Sequence, residues 1–97
     1  MFVLQWASEA EENFKSLKNN VSLEKHYKAV KKAIKYLSED PRHKSLQTHE
    51  YESLKGPKGE KVFEAYAEQN TPVAYRIFWY YGPNRGKITI VAITPHP

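Results

Sequence analysis

Residues 72–97 read PVAYRIFWYYGPNRGKITIVAITPHP, and this stretch decides the fold. Two runs rich in β-branched and aromatic residues, 74–81 and 87–94, flank the sequence GPNRG at residues 82–86. Strand-forming runs joined by glycine, proline and asparagine are typical of a β-hairpin. The stretch therefore predicts a hairpin with strands at residues 74–81 and 87–94.

Alternation along each strand assigns the hairpin side chains to the two faces of a sheet. In the first strand, one face is predicted to carry Tyr75, Ile77, Trp79 and Tyr81, and the other Ala74, Arg76, Phe78 and Tyr80. In the second strand, the two predicted sets are Ile88, Ile90, Ala92, Thr94 and, if the strand continues, His96, against Thr89, Val91 and Ile93. Both faces are largely apolar, so we expect the hairpin to lie inside a sheet.

Arg76 is the one charged residue of the first strand, and aromatic residues surround it. A buried charge is tolerated when it is paired or when it lies at the rim of a site. One interpretation is an ion pair with a carboxylate such as Glu64. The other is a phosphate-binding group, because a guanidinium group matches the geometry of a phosphate.

The sequence before the hairpin predicts a short strand at residues 2–6 and then two amphipathic helices. Their apolar stripes are Ala7, Ala10, Phe14 and Leu17 in the first, and Leu23, Tyr27, Val30, Ile34 and Leu37 in the second. Ser8, with Glu11 three residues later, predicts a capping box, and Ser22 is the predicted N-cap of the second helix.

The middle of the chain is less regular. Residues 41–59 are polar and rich in turn formers, and we interpret them as a connecting segment. Residues 61–69 predict a third strand that leads into the hairpin. The element order is then β-α-α-β-β-β. The predicted fold is a single α+β domain over residues 1–97, with two N-terminal helices packed on a small antiparallel sheet.

Composition limits the possible functions. The chain has no cysteine, which excludes disulfides and cysteine-rich zinc sites. No apolar run is long enough for a membrane span, and no signal-peptide layout is present, so we expect a cytoplasmic protein without membrane contact. The net charge of +4 lies on residues 23–46, and this basic segment is either a solvated lysine surface or a contact surface for RNA or an acidic partner. The candidate contact residues there are Lys28, Lys32, Lys35, Arg42 and Lys44.

Three motifs and the element order resemble the RelE/ParE superfamily of bacterial toxin–antitoxin systems. The motifs are VFE at residues 62–64, AYRIFW at residues 74–79 and the closing strand at residues 90–96. This resemblance implies a toxin that cleaves mRNA on the ribosome without a metal or other cofactor. It also implies an antitoxin partner and a role in plasmid stabilisation. Inhibition of DNA gyrase is the other activity that the resemblance implies.

The resemblance also implies roles for particular residues. Arg76 matches an arginine that contacts the scissile phosphate, and His96 matches a general acid near the chain end. The basic helix and the segment after it match surfaces that contact ribosomal RNA. Glu64-Ala65-Tyr66 stands where strongly cleaving members have lysine or arginine.

The chemistry can be argued from residue types as well. RNA cleavage without a metal needs a base for the 2′-hydroxyl, a cation near the phosphate and an acid for the 5′ oxygen. Glu64 or His49 is the candidate base, Arg76 the cation and His96 the acid. Candidate RNA contacts are Tyr66, Tyr80 and Trp79 by stacking, and Lys61 and Arg85 by charge. His26 and His43 belong to no predicted cluster, and the spacing of the four histidines predicts no metal site.

Two hypotheses remain open from the sequence. The first is a RelE-like endoribonuclease that an antitoxin holds inactive. The second is a non-catalytic protein of the same fold, either a gyrase-type inhibitor or a degenerate toxin that only binds its antitoxin. Arg76 with His96 favours the first, and Glu64 in place of a basic residue favours the second.

Overall fold

The computed structural model describes residues 1–96, and Pro97, the last residue of the predicted domain, lies outside the described residues. The strands are β1 (Val3–Trp6), β2 (His49–Lys55), β3 (Lys61–Tyr66), β4 (Tyr75–Tyr81) and β5 (Lys87–Pro95). The α-helices are α1 (Ser8–Lys18) and α2 (Glu24–Glu39). Short 3-10 turns at Val21–Leu23 and Lys44–Leu46 precede α2 and β2. Neither helix in this part of the chain is long and apolar enough to cross a bilayer.

The described strands form one sheet in the order β1-β5-β4-β3-β2. The predicted hairpin is confirmed as β4 and β5, and both strands have a neighbour on each side. The predicted α+β class is confirmed too. The sheet is mixed rather than wholly antiparallel, because β1 runs parallel to β5 while the other neighbours are antiparallel.

The prediction of a connecting segment at residues 41–59 is wrong for its second half, which forms β2. This strand lies at the sheet edge, and most of its side chains are exposed, so it needs few apolar residues and gives a weak sequence signal. The predicted third strand ends at Tyr66 rather than at residue 69. The two predicted serine caps are also wrong: Ala7 and Leu23 are the N-caps of α1 and α2, and neither makes a side-chain cap bond.

Both helices pack on one face of the sheet. The core there joins buried residues of α1 and α2, such as Leu17 and Leu37, to Ile77 and Trp79 of β4. The apolar stripe predicted for α2 is confirmed, because its members are either buried or packed against this core. The other side of the sheet, which we call the open face, has a smaller apolar cluster built from strand residues alone: Val62, Phe78, Tyr80 and Ala92, with Tyr51 and Val91 packed on it.

A bulge in β5 changes the predicted faces of that strand. Trp79 pairs with Ile90, whereas the preceding residue Phe78 pairs with Ala92, so Val91 is an extra residue. Simple alternation fails beyond this point, and Ile93 enters the helix-side core. Thr94 comes to lie opposite Arg76, on the open face.

Candidate functional site

Three side chains from three neighbouring strands meet on the open face. Glu64 of β3 lies between His49 of β2 and Arg76 of β4. Its Oε1 lies 2.7 Å from Nε2 of His49, and its Oε2 accepts a hydrogen bond from Nη1 of Arg76. We call these three residues the charge cluster. The ion pair of Arg76 with Glu64, one of the two interpretations of the sequence, is confirmed.

Exposure differs sharply within the charge cluster. Glu64 is 2% exposed, whereas the side chain of His49 is 47% exposed and that of Arg76 is 13% exposed. Burial of a carboxylate is tolerated here because both oxygens have cationic or hydrogen-bonding partners. Glu64 is therefore placed to orient the other two residues, while His49 is the member that solvent or a ligand can reach.

The ring of His49 is held at both nitrogens. Nδ1 lies 3.0 Å from the backbone carbonyl of Gln47, and Nε2 faces Glu64. A carbonyl and a carboxylate only accept hydrogen bonds, so a ring that carries a proton on both nitrogens donates to both. Gln47 itself adopts a left-handed backbone conformation, with φ 46°. The cluster therefore depends on a backbone position that the sequence did not indicate.

His96 directly follows the end of β5, next to β4. Thr94 pairs directly with Arg76, and the backbone N–H of His96 donates to the carbonyl of Ala74 at 2.8 Å, which continues the ladder. Strand geometry puts the Cα atoms of Arg76 and His96 about 8 Å apart. In the neighbouring strand β3, Tyr66 pairs with Arg76, and the ring of Tyr66 lies 5.6 Å from that of His49. Three of the predicted catalytic residues thus meet on the open face with the predicted stacking residue Tyr66 beside them, and His96 lies two residues beyond Thr94 at the end of β5.

The predicted RNA contacts are more dispersed. Lys28, Lys32 and Lys35 are exposed on α2, and Lys44 is exposed after it. Arg42 is exposed and lies over the ring of Phe63, 4.9 Å from its centre. These residues belong to the helix layer rather than to the open face.

The remaining predicted contacts lie apart from the charge cluster. Lys61 forms a long ion pair with Glu50, at 3.9 Å. Arg85 is exposed in the hairpin turn, and the length of β4, about 17 Å, separates it from Arg76. Tyr80 and Trp79 are buried, which makes them core residues rather than stacking surfaces.

A second cluster, formed by His26, Glu68 and Tyr75, was not predicted from the sequence. Nδ1 of His26 lies 2.8 Å from the Glu68 carboxylate, and its ring lies 5.1 Å from that of Tyr75. Burial, together with the Glu68 charge, raises the pKa of Tyr75 above its ordinary value of 10.0. His26 and Glu68 are 42 positions apart, so no local pattern could have joined them. His43 also has a partner, since its ring stacks on Tyr36 at 4.1 Å.

Metal-binding residue types do not gather into a group of three or more anywhere in residues 1–96. The side chains of the open face, together with His96 at the end of β5, provide several chemical groups. These are a half-exposed imidazole, a guanidinium group, a second histidine and an aromatic ring. Together they can bind an anion and transfer protons.

No known protein family and no curated protein matches this chain. Among solved structures, the chain is similar to a YoeB/ParE toxin from Agrobacterium tumefaciens, with a TM-score of 0.69 over 100% of both chains and 10% sequence identity. It is also similar to the archaeal RelE-RelB complex from Pyrococcus horikoshii OT3, with a TM-score of 0.62 and 16% identity, over 97% of this chain and 93% of that chain. At these identities the likeness concerns the fold. The predicted RelE-like fold is thereby confirmed.

Proposed function

We propose that this chain is the toxin of a toxin–antitoxin pair, and that it cleaves mRNA on the ribosome, in the cytoplasm, without a metal ion. Two similar structures are a toxin and a complex of RelE with RelB, which supports a toxin with an antitoxin as partner. A role in plasmid stabilisation would follow from such a pair. The observation that carries the enzymatic part is the charge cluster, with Tyr66 and His96 lining the cavity beside it.

The proposed reaction is attack of a ribose 2′-hydroxyl on the adjacent phosphorus. The new bond joins the 2′ oxygen to phosphorus, and the bond from phosphorus to the 5′ oxygen breaks. A cyclic 2′,3′-phosphate and a 5′-hydroxyl result. One group must take the 2′ proton, another must give a proton to the 5′ oxygen, and a cation must stabilise the charge on the phosphate.

The geometry suggests which residue fills each role. Glu64 is enclosed by its two partners, so it orients them rather than acting as the base. The hydrogen bonds of His49 suit a doubly protonated ring, which can pass its Nδ1 proton to the 5′ oxygen when RNA replaces the Gln47 carbonyl. Arg76 stabilises the phosphate, and His96 takes the 2′ proton. These assignments reverse the acid role that the family resemblance implies for His96.

One observation favours the non-catalytic alternative. The guanidinium group of Arg76 is nearly buried, and Glu64 already neutralises it. A phosphate would have to compete with this carboxylate. In that case the chain would be a gyrase-type inhibitor, or a degenerate toxin that only binds its antitoxin.

The deciding experiment is induction of the chain in a host cell, with and without the antitoxin gene expected beside it, followed by mapping of mRNA ends. We expect His49→Ala and His96→Ala each to lower cleavage by roughly 10²–10⁴-fold, the usual contribution of a positioned acid or base. His43→Gln is the matched control, because this histidine stacks on Tyr36 in the helix layer. Growth arrest without new mRNA ends would favour the gyrase-type alternative. Cleavage that survives both alanine variants would remove the two histidines from the mechanism.

A further inference from the structure

A cavity of about 680 Å³ lies beside the charge cluster. Gln47, Tyr66 and Gln69 line one part of it, and the β3–β4 connection and His96 line the rest. Pockets of this size are typical of small-molecule sites. The cavity and the charge cluster are directly connected, since Gln47 lines the first and holds His49 of the second.

Backbone strain is concentrated at this cavity. Within residues 1–96, the non-glycine residues with positive φ are Gln47, Asn70 and Val73, at 46°, 60° and 57°. All three line the cavity. A left-handed conformation is unfavourable for most residues and is an outlier for a β-branched one such as Val73. Such strain gathers at functional sites, where the surrounding structure enforces it.

Three of the polar side chains that line the cavity are carboxamides, those of Gln47, Gln69 and Asn70, and two of them are fixed. Nε2 of Gln47 donates to Oε1 of Gln69 at 3.2 Å, and Nε2 of Gln69 donates to the backbone carbonyl of Ser45 at 2.9 Å. These bonds use one N–H group of each side chain. The carboxamide of Gln47 also has a second N–H and a carbonyl oxygen, the side-by-side donor and acceptor that pair with the edge of a nucleobase.

The charges of the cavity argue against a phosphate as its occupant. Neither lysine nor arginine is among its described lining residues, and Glu68 contributes a carboxylate. Tyr66 contributes an aromatic ring, on which a base can stack. The cationic groups lie next door, at Arg76 and His49. A nucleotide would therefore place its phosphate at the charge cluster and its base in the cavity.

We infer that this cavity is a nucleobase subsite, in which Gln47 contacts the edge of the base and Tyr66 stacks on its face. The inference rests on the proposed function, because it takes RNA as the substrate. It adds a source of base preference.

The test uses the four nucleoside 3′-monophosphates, with ribose 5-phosphate as the probe without a base. Each is titrated into isotope-labelled protein, and chemical shifts are followed at the side-chain amides of Gln47 and Gln69. We expect the four nucleotides to differ in affinity by about tenfold, and we expect Gln47→Ala to bind all four with similar affinity. Tyr66→Leu should weaken all four by about tenfold. Asn84→Ala is the control, because it removes an exposed carboxamide in the hairpin turn.

Equal binding of all five probes, or shifts confined to α2, would overturn the subsite. The outcome can be separated from that of the proposed function. If the nucleotides bind in the cavity with a base preference but no RNA is cut, the proposed enzyme fails and the subsite stands. If RNA is cut and Gln47→Ala leaves the base at the cleavage positions unchanged, the subsite fails and the enzyme stands.

Discussion

Replacement of Glu64 by glutamine tests whether the charge cluster is built around this carboxylate. Glu64 is 2% exposed, and its partner Arg76 has a side chain that is 13% exposed. Removal of one partner from a buried ion pair costs about 3–5 kcal/mol, because the other charge stays buried without compensation. The contact with the half-exposed His49 contributes less than about 1 kcal/mol.

Glutamine keeps one accepting oxygen, so we place the loss for Glu64→Gln near the lower end, at about 3 kcal/mol. A domain of this size has a total free energy of unfolding of roughly 5–15 kcal/mol, and the loss is therefore large. Urea unfolding followed by circular dichroism measures it. Arg76→Ala should be destabilising as well, because it leaves the buried Oε2 of Glu64 without its cationic partner.

Two further variants make the test specific. The double variant Glu64→Leu with Arg76→Leu removes both charges together, and we expect it to lie within about 1 kcal/mol of the parent. Glu50→Gln is the matched control, since its ion pair with Lys55 is long, at 3.7 Å, and lies near the surface. This control should cost less than about 1 kcal/mol.

If Glu64→Gln costs no more stability than Glu50→Gln, the carboxylate of Glu64 is not a stabilising partner of Arg76. The two residues are not coupled if the double variant loses as much stability as Glu64→Leu and Arg76→Leu added together, because the losses of a coupled pair are not additive. The double variant also separates stability from function. It should fold and yet cut no RNA, since the phosphate-binding cation is absent.

The raised pKa of Tyr75 predicts a loss of stability at alkaline pH. The neutral phenol of Tyr75 contributes fully to the free energy of unfolding below about pH 10, where the phenol is neutral in the unfolded chain too. This contribution is lost as the pH rises through the pKa of the folded state. Urea unfolding across this range should show the loss in the parent and not in Tyr75→Phe; equal slopes would contradict it. Charge reversal at Lys28 and Lys32 should reduce the salt dependence of antitoxin binding, because the net positive charge lies on residues 23–46. An unchanged slope of affinity against salt would remove this surface from the interface.

The parts of the fold that follow from periodicity could be predicted from the sequence. The α2 stripe and the β4–β5 hairpin repeat their pattern long enough to be distinctive. Strand β2 could not be predicted, because an edge strand with exposed side chains shows little alternation. The bulge at Val91 was also hidden, since it depends on the pairing with β4 rather than on the local sequence.

In the candidate site, too, some contacts could be predicted from the sequence and others could not. Pairing of Arg76 with Glu64 was predictable, because a buried charge needs a partner and Glu64 belongs to the strand predicted to lead into the hairpin. Convergence of His49 on Glu64 required β2 and its register, and the sequence revealed neither. The link from Gln47 to both His49 and the cavity depends on a left-handed backbone that glutamine rarely adopts.

The extra residue in β5, Val91, separates two segments of the strand that differ in which alternate residues point toward the helices. Before Val91, the inward residues Ile88 and Ile90 serve the helix-side core, and after it the alternation is shifted by one position. Deletion of Val91 would remove the bulge and leave Ile93 toward the helices and Thr94 on the open face, because Ile90 and Ala92 already pair with the adjacent residues Trp79 and Phe78. A substitution at Val91 changes one half-buried side chain, and its loss changes the local twist of the strand rather than the contacts that follow. The strand can therefore differ in length by one residue at Val91 without moving Ile93 out of the core or Thr94 away from Arg76.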